Sequence, residues 1–262
     1  MMDRRNFMGL GAVAAGAATL TQLDRTAHAQ HGEPRDHYEL RRYHLDTDAQ
    51  RKGLHTFLKD TFIPACNRND IPQVGVFEIR NEDGPVFVLI RHTSASSFTT
   101  GTRRLLADEK FLKDGDAFLN TDAKKTAYSR IETQFMISFE GMTELEHPVT
   151  GPDRVFELRN YQSHSVVAGQ KKIEMFNSGE IQIMRDTGLG PVLYGEHLSG
   201  PDMPNLTYFL SYENFRARGK AWQTFGSDPA WKEISGKPEY ANDKILSDIS
   251  NIFLVPTKYS QV

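Results

Sequence analysis

One hexapeptide pattern occurs twice in this chain, and it constrains the fold more than any other feature. Tyr38-Glu39-Leu40-Arg41-Arg42-Tyr43 returns 118 residues later as Phe156-Glu157-Leu158-Arg159-Asn160-Tyr161. The same offset pairs Val74 with Val192 and Glu78 with Glu196. Further on, Phe98 pairs with Phe215, and Asp108…Phe111 with Asp228…Trp231. A period this long does not suit a solenoid and does suit two homologous domains. The stretch 147–152, His147-Pro148-Val149-Thr150-Gly151-Pro152, is rich in turn residues and marks the junction. The expected organisation is a leader over 1–29, a first domain over 30–147 and a second over 153–262.

Each half carries the same order of periodicities. In the first, strands are expected over 35–43, 74–80, 86–92 and 128–139, with helical segments over 50–68 and 99–119. In the second, strands are expected over 155–161, 191–197, 205–212 and 247–256, with helices over 166–187 and 214–225. A βαββαβ order gives a ferredoxin-like α+β unit with helices on one sheet face. Two such units cover each other's bare faces when packed sheet to sheet. The predicted fold is therefore α+β: two tandem ferredoxin-like domains forming a pseudo-dimeric α+β barrel. A homodimer through any remaining sheet edge is a further expectation.

The start of the chain predicts export. Arg4-Arg5 precedes an uncharged stretch from Asn6 to Leu23 rich in Ala and Gly, and Ala27-His28-Ala29 shortly after it is a small-x-small cleavage pattern. Arg4-Arg5-Asn6-Phe7-Met8 resembles a twin-arginine signal, a receptor-read address. The expected location is periplasmic or secreted, with no membrane attachment after the leader is removed. Composition agrees with a globular domain: 39% hydrophobic and 25% charged. The formal net charge of −3 disfavours nucleic acid as a partner. The single cysteine, Cys66, excludes an internal disulfide.

Strand periodicity nominates site residues. Glu39, Arg41 and Tyr43 share one face of their strand, and Glu157, Arg159 and Tyr161 share the equivalent face. With Phe156 and Leu158 packed under helices, these stripes are expected to face the gap between the sheets. There they form either structural ion pairs that set register or, with Tyr212, the contacts of a small-molecule ligand. Glu78, His92 and Tyr43 are expected to converge at one barrel mouth for acid–base work. Arg41 or Arg159 would hold an anion. Neither His-Glu-x-x-His nor Cys-x-x-Cys occurs, so neither metal nor cofactor is expected. An axial haem ligand would have to be His55, His164 or His197, and none has supporting spacing. Trp222, Phe225 and Trp231 read as core aromatics.

The Phe/Tyr-Glu-Leu-Arg-x-Tyr strands, the Gly190-Pro191-Val192-Leu193-Tyr194 segment and Phe215…Asp228-Pro229-Ala230-Trp231 resemble the NIPSNAP family over nearly all of 36–258. The first half departs from that pattern, with Asp108-Glu109-Lys110-Phe111 in place of Asp-Pro-x-Trp. The resemblance implies a dimeric α+β barrel, completed here by tandem copies. It also implies a function open between binding of a small apolar or aromatic molecule between the sheets, with cofactor-independent monooxygenase-like chemistry, and a non-catalytic interaction module with a filled interior.

Overall fold

The computed structural model describes residues 34–262; the leader expected over 1–29 lies outside them. Eight strands form the frame: β1 (His37–His44), β2 (Gln73–Ile79), β3 (Val86–His92), β4 (Arg130–Ser138), β5 (Val155–Gln162), β6 (Gly190–Ser199), β7 (Asn205–Tyr212) and β8 (Asp248–Pro256). They close into a ring in the order β1-β3-β2-β8-β5-β7-β6-β4, with each adjacent pair antiparallel. The first half supplies four neighbouring strands, β4-β1-β3-β2, and the second half supplies β8-β5-β7-β6. The halves join at β2–β8 and β4–β6. Closure leaves the ring without an open edge, so a homodimer would need a different surface from the sheet edge.

Helices pack on the outside. In the first half, α1 (Asp48–Phe57) runs through a π-helical turn (Leu58–Phe62) into α2 (Ile63–Arg68), and α3 (Ala95–Ala107) is followed by α4 (Glu109–Leu119). The second half repeats this with α5 (Val166–Met175), a second π-helical turn and α6 (Ile181–Asp186), then α7 (Phe215–Ser227) and α8 (Pro229–Ser235). The segment expected to be helical over 99–119 consists of two helices. Asp108 ends the first and caps the second, its carboxylate accepting from Phe111 N at 3.0 Å. Asp228 does the same for Trp231 N at 3.1 Å, so Glu109 simply takes the first-turn place of Pro229. The caps also reset one sequence pairing. Ser94 caps α3 and Asn214 caps α7, which puts Phe98 opposite Arg218, whereas the sequence alone pairs it with Phe215.

The barrel interior is filled from both halves. Leu40, Phe77, Phe87 and Leu89 meet Phe156, Leu158, Phe209 and Leu254, all buried. The Phe77 ring lies 4.9 Å from Phe156 and 5.6 Å from Phe209, across the junction of the halves. Two further clusters lie between sheet and helices, one in each half. Tyr43 belongs to the first and Tyr161 to the second, which overturns the expected orientation. The Glu/Arg/Tyr stripes face the helices, and Phe156 and Leu158 face the lumen. An eight-stranded ring has an interior just wide enough for side chains to fill, and apolar ones fill it without polar groups to satisfy. A register shift in β6 between Pro191 and Leu193 turns Val192 into the lumen, although its repeat partner Val74 lies under the helices.

Cys66 sits at the end of the first-half core, with no exposed surface. Burial pushes its thiol up to about 12. It should therefore resist Ellman's reagent in the native protein and react fully in denaturant, as a thiol titration would show. No helix among the described residues is long and apolar enough to cross a membrane.

Candidate functional site

Under α3, strands β1, β3 and β4 bring four polar side chains together. Glu39 is the centre. Its Oε1 accepts from Arg41 Nε at 2.6 Å and from Thr133 Oγ1 at 3.1 Å. Its Oε2 accepts from Arg41 Nη2 at 3.1 Å and from His92 Nε2 at 3.4 Å. A carboxylate accepts only, so the His92 ring proton belongs on Nε2 and Nδ1 is left as an acceptor. The Ser97 hydroxyl, 3.0 Å away on α3, donates to it. Arg41 continues the chain of contacts to Tyr43 OH at 3.5 Å. Burial alone would raise the Glu39 carboxyl, but hydrogen bonding from His92 and the charge of Arg41 outweigh it and hold the group at about 2.

That depression fixes the sign of a pH effect. The folded value lies below the ordinary 4.5, so the stabilisation from Glu39 is complete above 4.5 and is lost as pH falls toward about 2. The urea midpoint of the wild type should drop across that window more steeply than that of Glu39→Gln, which has no carboxyl to titrate. Parallel curves for the two proteins would contradict the network.

Beside these groups is a cavity of about 270 Å³. Glu39, Arg41 and His92 form its polar floor, and Phe62, Ile71, Ile90, Phe98 and Leu105 form apolar walls. Gly101 of α3 opens it, for a Cβ there would meet only Ile71 Cδ1 at 3.8 Å and His92 Cε1 at 3.9 Å.

The second half builds the same stripe and closes it. Glu157 is fully buried. It accepts from Arg159 Nη1 at 2.7 Å, Arg218 Nε at 2.7 Å and Nη2 at 2.9 Å, Trp222 Nε1 at 3.1 Å and Tyr212 OH at 3.3 Å. Arg159 also donates to Tyr161 OH at 3.1 Å, and its guanidinium lies 4.8 Å from the Trp222 ring. Ala221, Trp222 and Phe225 stand where the first half has Gly101, Thr102 and Leu105. The indole of Trp222 occupies the place of the first-half opening.

The six residues proposed from sequence as ligand contacts thus fall into two sites, Glu39 and Arg41 in the first half and Glu157, Arg159, Tyr161 and Tyr212 in the second. The proposed catalytic trio does not converge. Tyr43 pairs with Val86 at one end of β3, and His92 lies at the other end, opposite His37. Glu78 is elsewhere, under α1, bound by Arg51 Nη1 at 3.1 Å and His55 Nε2 at 3.2 Å. Strand position separates His92 from the other two: Glu78 follows the Phe77–Phe87 pair and so lies at the same sheet end as Tyr43, on the far side of β3 and held under α1. Ser97, Thr133 and Arg218 were not evident from sequence. Arg218 is recoverable once the Asp108 and Asp228 caps, rather than the aromatic residues, are used to align the halves.

Residues 156–261 match the NIPSNAP family model. A candidate monooxygenase from Lactobacillus acidophilus superposes with a TM-score of 0.57 at 10% identity, over 85% of this chain and 94% of its own. An anthrone oxidase-like protein gives a TM-score of 0.53 at 10% identity, over 86% of this chain and 93% of its own. An uncharacterized NIPSNAP-like domain protein from Burkholderia xenovorans is 19% identical over 42% of this chain and 90% of its own, with a TM-score of 0.37. No curated protein matches the chain by sequence. The full-length likenesses show a shared α+β fold with a closed antiparallel barrel.

Proposed function

We propose that this chain is an exported NIPSNAP-like protein, built as two tandem ferredoxin-like domains, that binds a small apolar or aromatic molecule in its first-half cavity. One observation carries the reading: the same polar stripe is covered by Trp222 in one half and left beside an open cavity in the other. At about 270 Å³ the cavity is just below the usual range for ligand sites, about 300–1,000 Å³, which suits a ligand of one or two rings. Its floor charges already neutralise each other, so recognition rests on Phe62, Phe98 and Leu105 and on the edge of His92. Arg4-Arg5 and Ala27-His28-Ala29 support export.

A second reading adds chemistry. Ser97, His92 and Glu39 form a hydrogen-bonded row that reaches the cavity at His92, which favours an oxygenase acting without cofactor on an activated aromatic methylene. The balanced reaction is R₂CH₂ + O₂ → R₂C=O + H₂O. The interaction-module alternative shares the filled lumen and the closed second half but leaves the first-half cavity without a role.

Native mass spectrometry of the protein purified from its own periplasm tests the binding reading. A retained small molecule is expected. If the protein carries none, and a panel of one- and two-ring aromatics fails to bind it, the reading is wrong. Oxygen consumption with anthrone as probe tests the chemistry: uptake abolished in His92→Ala supports it, and equal uptake in wild type and variant refutes it.

A further inference from the structure

The apolar filling of the barrel stops short of one mouth. Continuing along the lumen-facing positions, Leu40 gives way to Arg42, Met136 to Gln134, Leu158 to Asn160 and Phe209 to Thr207, and His197 faces them from β6. The strands concerned, β1, β4, β6, β7 and β5, are consecutive around the ring, so the five side chains are neighbours. Met136 pairs with His197 and Asn160 with Thr207.

Hydrogen-bond counting leaves this cluster incomplete. Asn160 Nδ2 donates to Thr207 Oγ1 at 3.0 Å, and Thr207 Oγ1 lies 2.8 Å from His197 Nε2. With the Thr207 hydroxyl donating to Nε2, the neutral ring carries its proton on Nδ1, and the protonated ring carries one there in either case. That Nδ1 is buried without a partner, on a residue only 4% exposed. Gln134, 5% exposed, has an unpartnered amide oxygen. Arg42 has an unpartnered Nε, while its Nη1 reaches only Glu132 at 4.0 Å. Glu132 itself is taken by Arg130 at 2.8 Å and His44 at 3.3 Å. Buried polar atoms in folded proteins are almost always satisfied, by protein or by something bound. Here several orphans lie at one mouth of the ring, where the charge of Arg42 is felt by His197.

We propose that this barrel mouth is a second binding site, which holds the carboxylate of a small monoanion between the Nε edge of Arg42 and the Nδ1–H of His197. A guanidinium edge matches a carboxylate with two parallel N–H donors. The site offers one uncompensated positive charge, which suits a monoanion better than a dianion. The Gln134 amide, rotated by half a turn, adds a third donor. The site lies on the opposite face of the sheet from the Glu39 cavity and stands or falls independently of it.

Acetate is the probe, and the His197 ring is the reporter. Burial, and then the charge of Arg42, lower this histidine to about 4. The other charged groups at the mouth are Glu132, His44 and Arg130, with Asp248 exposed at the far rim. A bound carboxylate neutralises Arg42 and favours the imidazolium. An NMR titration in acetate should therefore show the His197 midpoint rising by about one unit relative to chloride at equal ionic strength, a tenfold preference of the anion for the protonated ring. Arg42→Gln should abolish the response. Arg42→Lys, which keeps the charge and the stem and loses the fork, should weaken acetate binding at least about tenfold. An equal midpoint in acetate and chloride would overturn the proposal, as would a wild-type response in a folded Arg42→Lys or Arg42→Gln protein.

Discussion

Glu157→Ala should cost about 3–5 kcal/mol of stability, the range for breaking a buried charge pair by removing one partner. Exposed pairs are worth about 0–1 kcal/mol, so the magnitude depends on where Glu157 lies. It is fully buried, and its two oxygens gather Arg159, Arg218, Trp222 and Tyr212. Removing it leaves two guanidinium groups facing each other beneath the Trp222 indole with no counter-charge. For a chain of this size each kcal/mol moves the melting temperature by about 2–4 °C, so a drop of roughly 10 °C is expected. Urea unfolding measures it directly. Arg218→Ala in the same background should recover part of the loss, because the two side chains are one coupled network. A Glu157→Ala protein within about 1 kcal/mol of wild type would show that the arginines find water or other partners, contrary to the burial argument.

Gly101→Leu should remove ligand binding in the first half while the fold survives. The new Cβ meets only Ile71 and His92 at ordinary contact distances, and the rest of the side chain extends into the cavity. Replacing a mid-helix glycine also favours α3 by about 0.5–1 kcal/mol. The melting temperature should hold or rise. Affinity for any aromatic ligand should fall at least about 100-fold, equivalent to about 2.8 kcal/mol at 1.4 kcal/mol per decade. Calorimetry on the two proteins, with whatever molecule native mass spectrometry identifies, decides the matter. Unimpaired binding by Gly101→Leu would move the ligand out of this cavity.

The two substitutions probe corresponding sites in the two halves, Glu157 in the closed one and Gly101 in the open one, and they also show how far the sequence could be read. The sequence pattern located all eight strands to within a few residues, because short runs rich in β-branched and aromatic residues are bounded by turns. It also showed correctly that Glu157, Arg159 and Tyr161 share a face. It could not show which face turns inward. Parity distinguishes the faces of a strand only when one is wet, and here one side is covered by helices and the other by the opposite wall of the barrel. Leucine and phenylalanine suit both environments, so Phe156 and Leu158 gave no indication of direction. The site itself was half visible. Glu39, Arg41 and His92 were named, but Thr133 and Ser97 come from elements distant in sequence, and ordinary Thr and Ser residues carry no pattern that marks them. The contrast between Gly101 and Trp222 emerges only when the halves are aligned on Asp108 and Asp228, since the β6 bulge and the unequal loops shift the offset from 118 to 120 residues.

Both halves of the ring belong to one polypeptide, joined between β4 and β5. In a barrel assembled from two identical chains, every substitution appears at both sites, so an opening gained in one is gained in the other, and its cost in stability is doubled. Covalent linkage removes that symmetry. One face can give up packing to stay open, as Gly101 does, while the other is free to gain Trp222 and a saturated carboxylate. Here the fused ring divides its work, with one half anchoring the structure and the other remaining available to change.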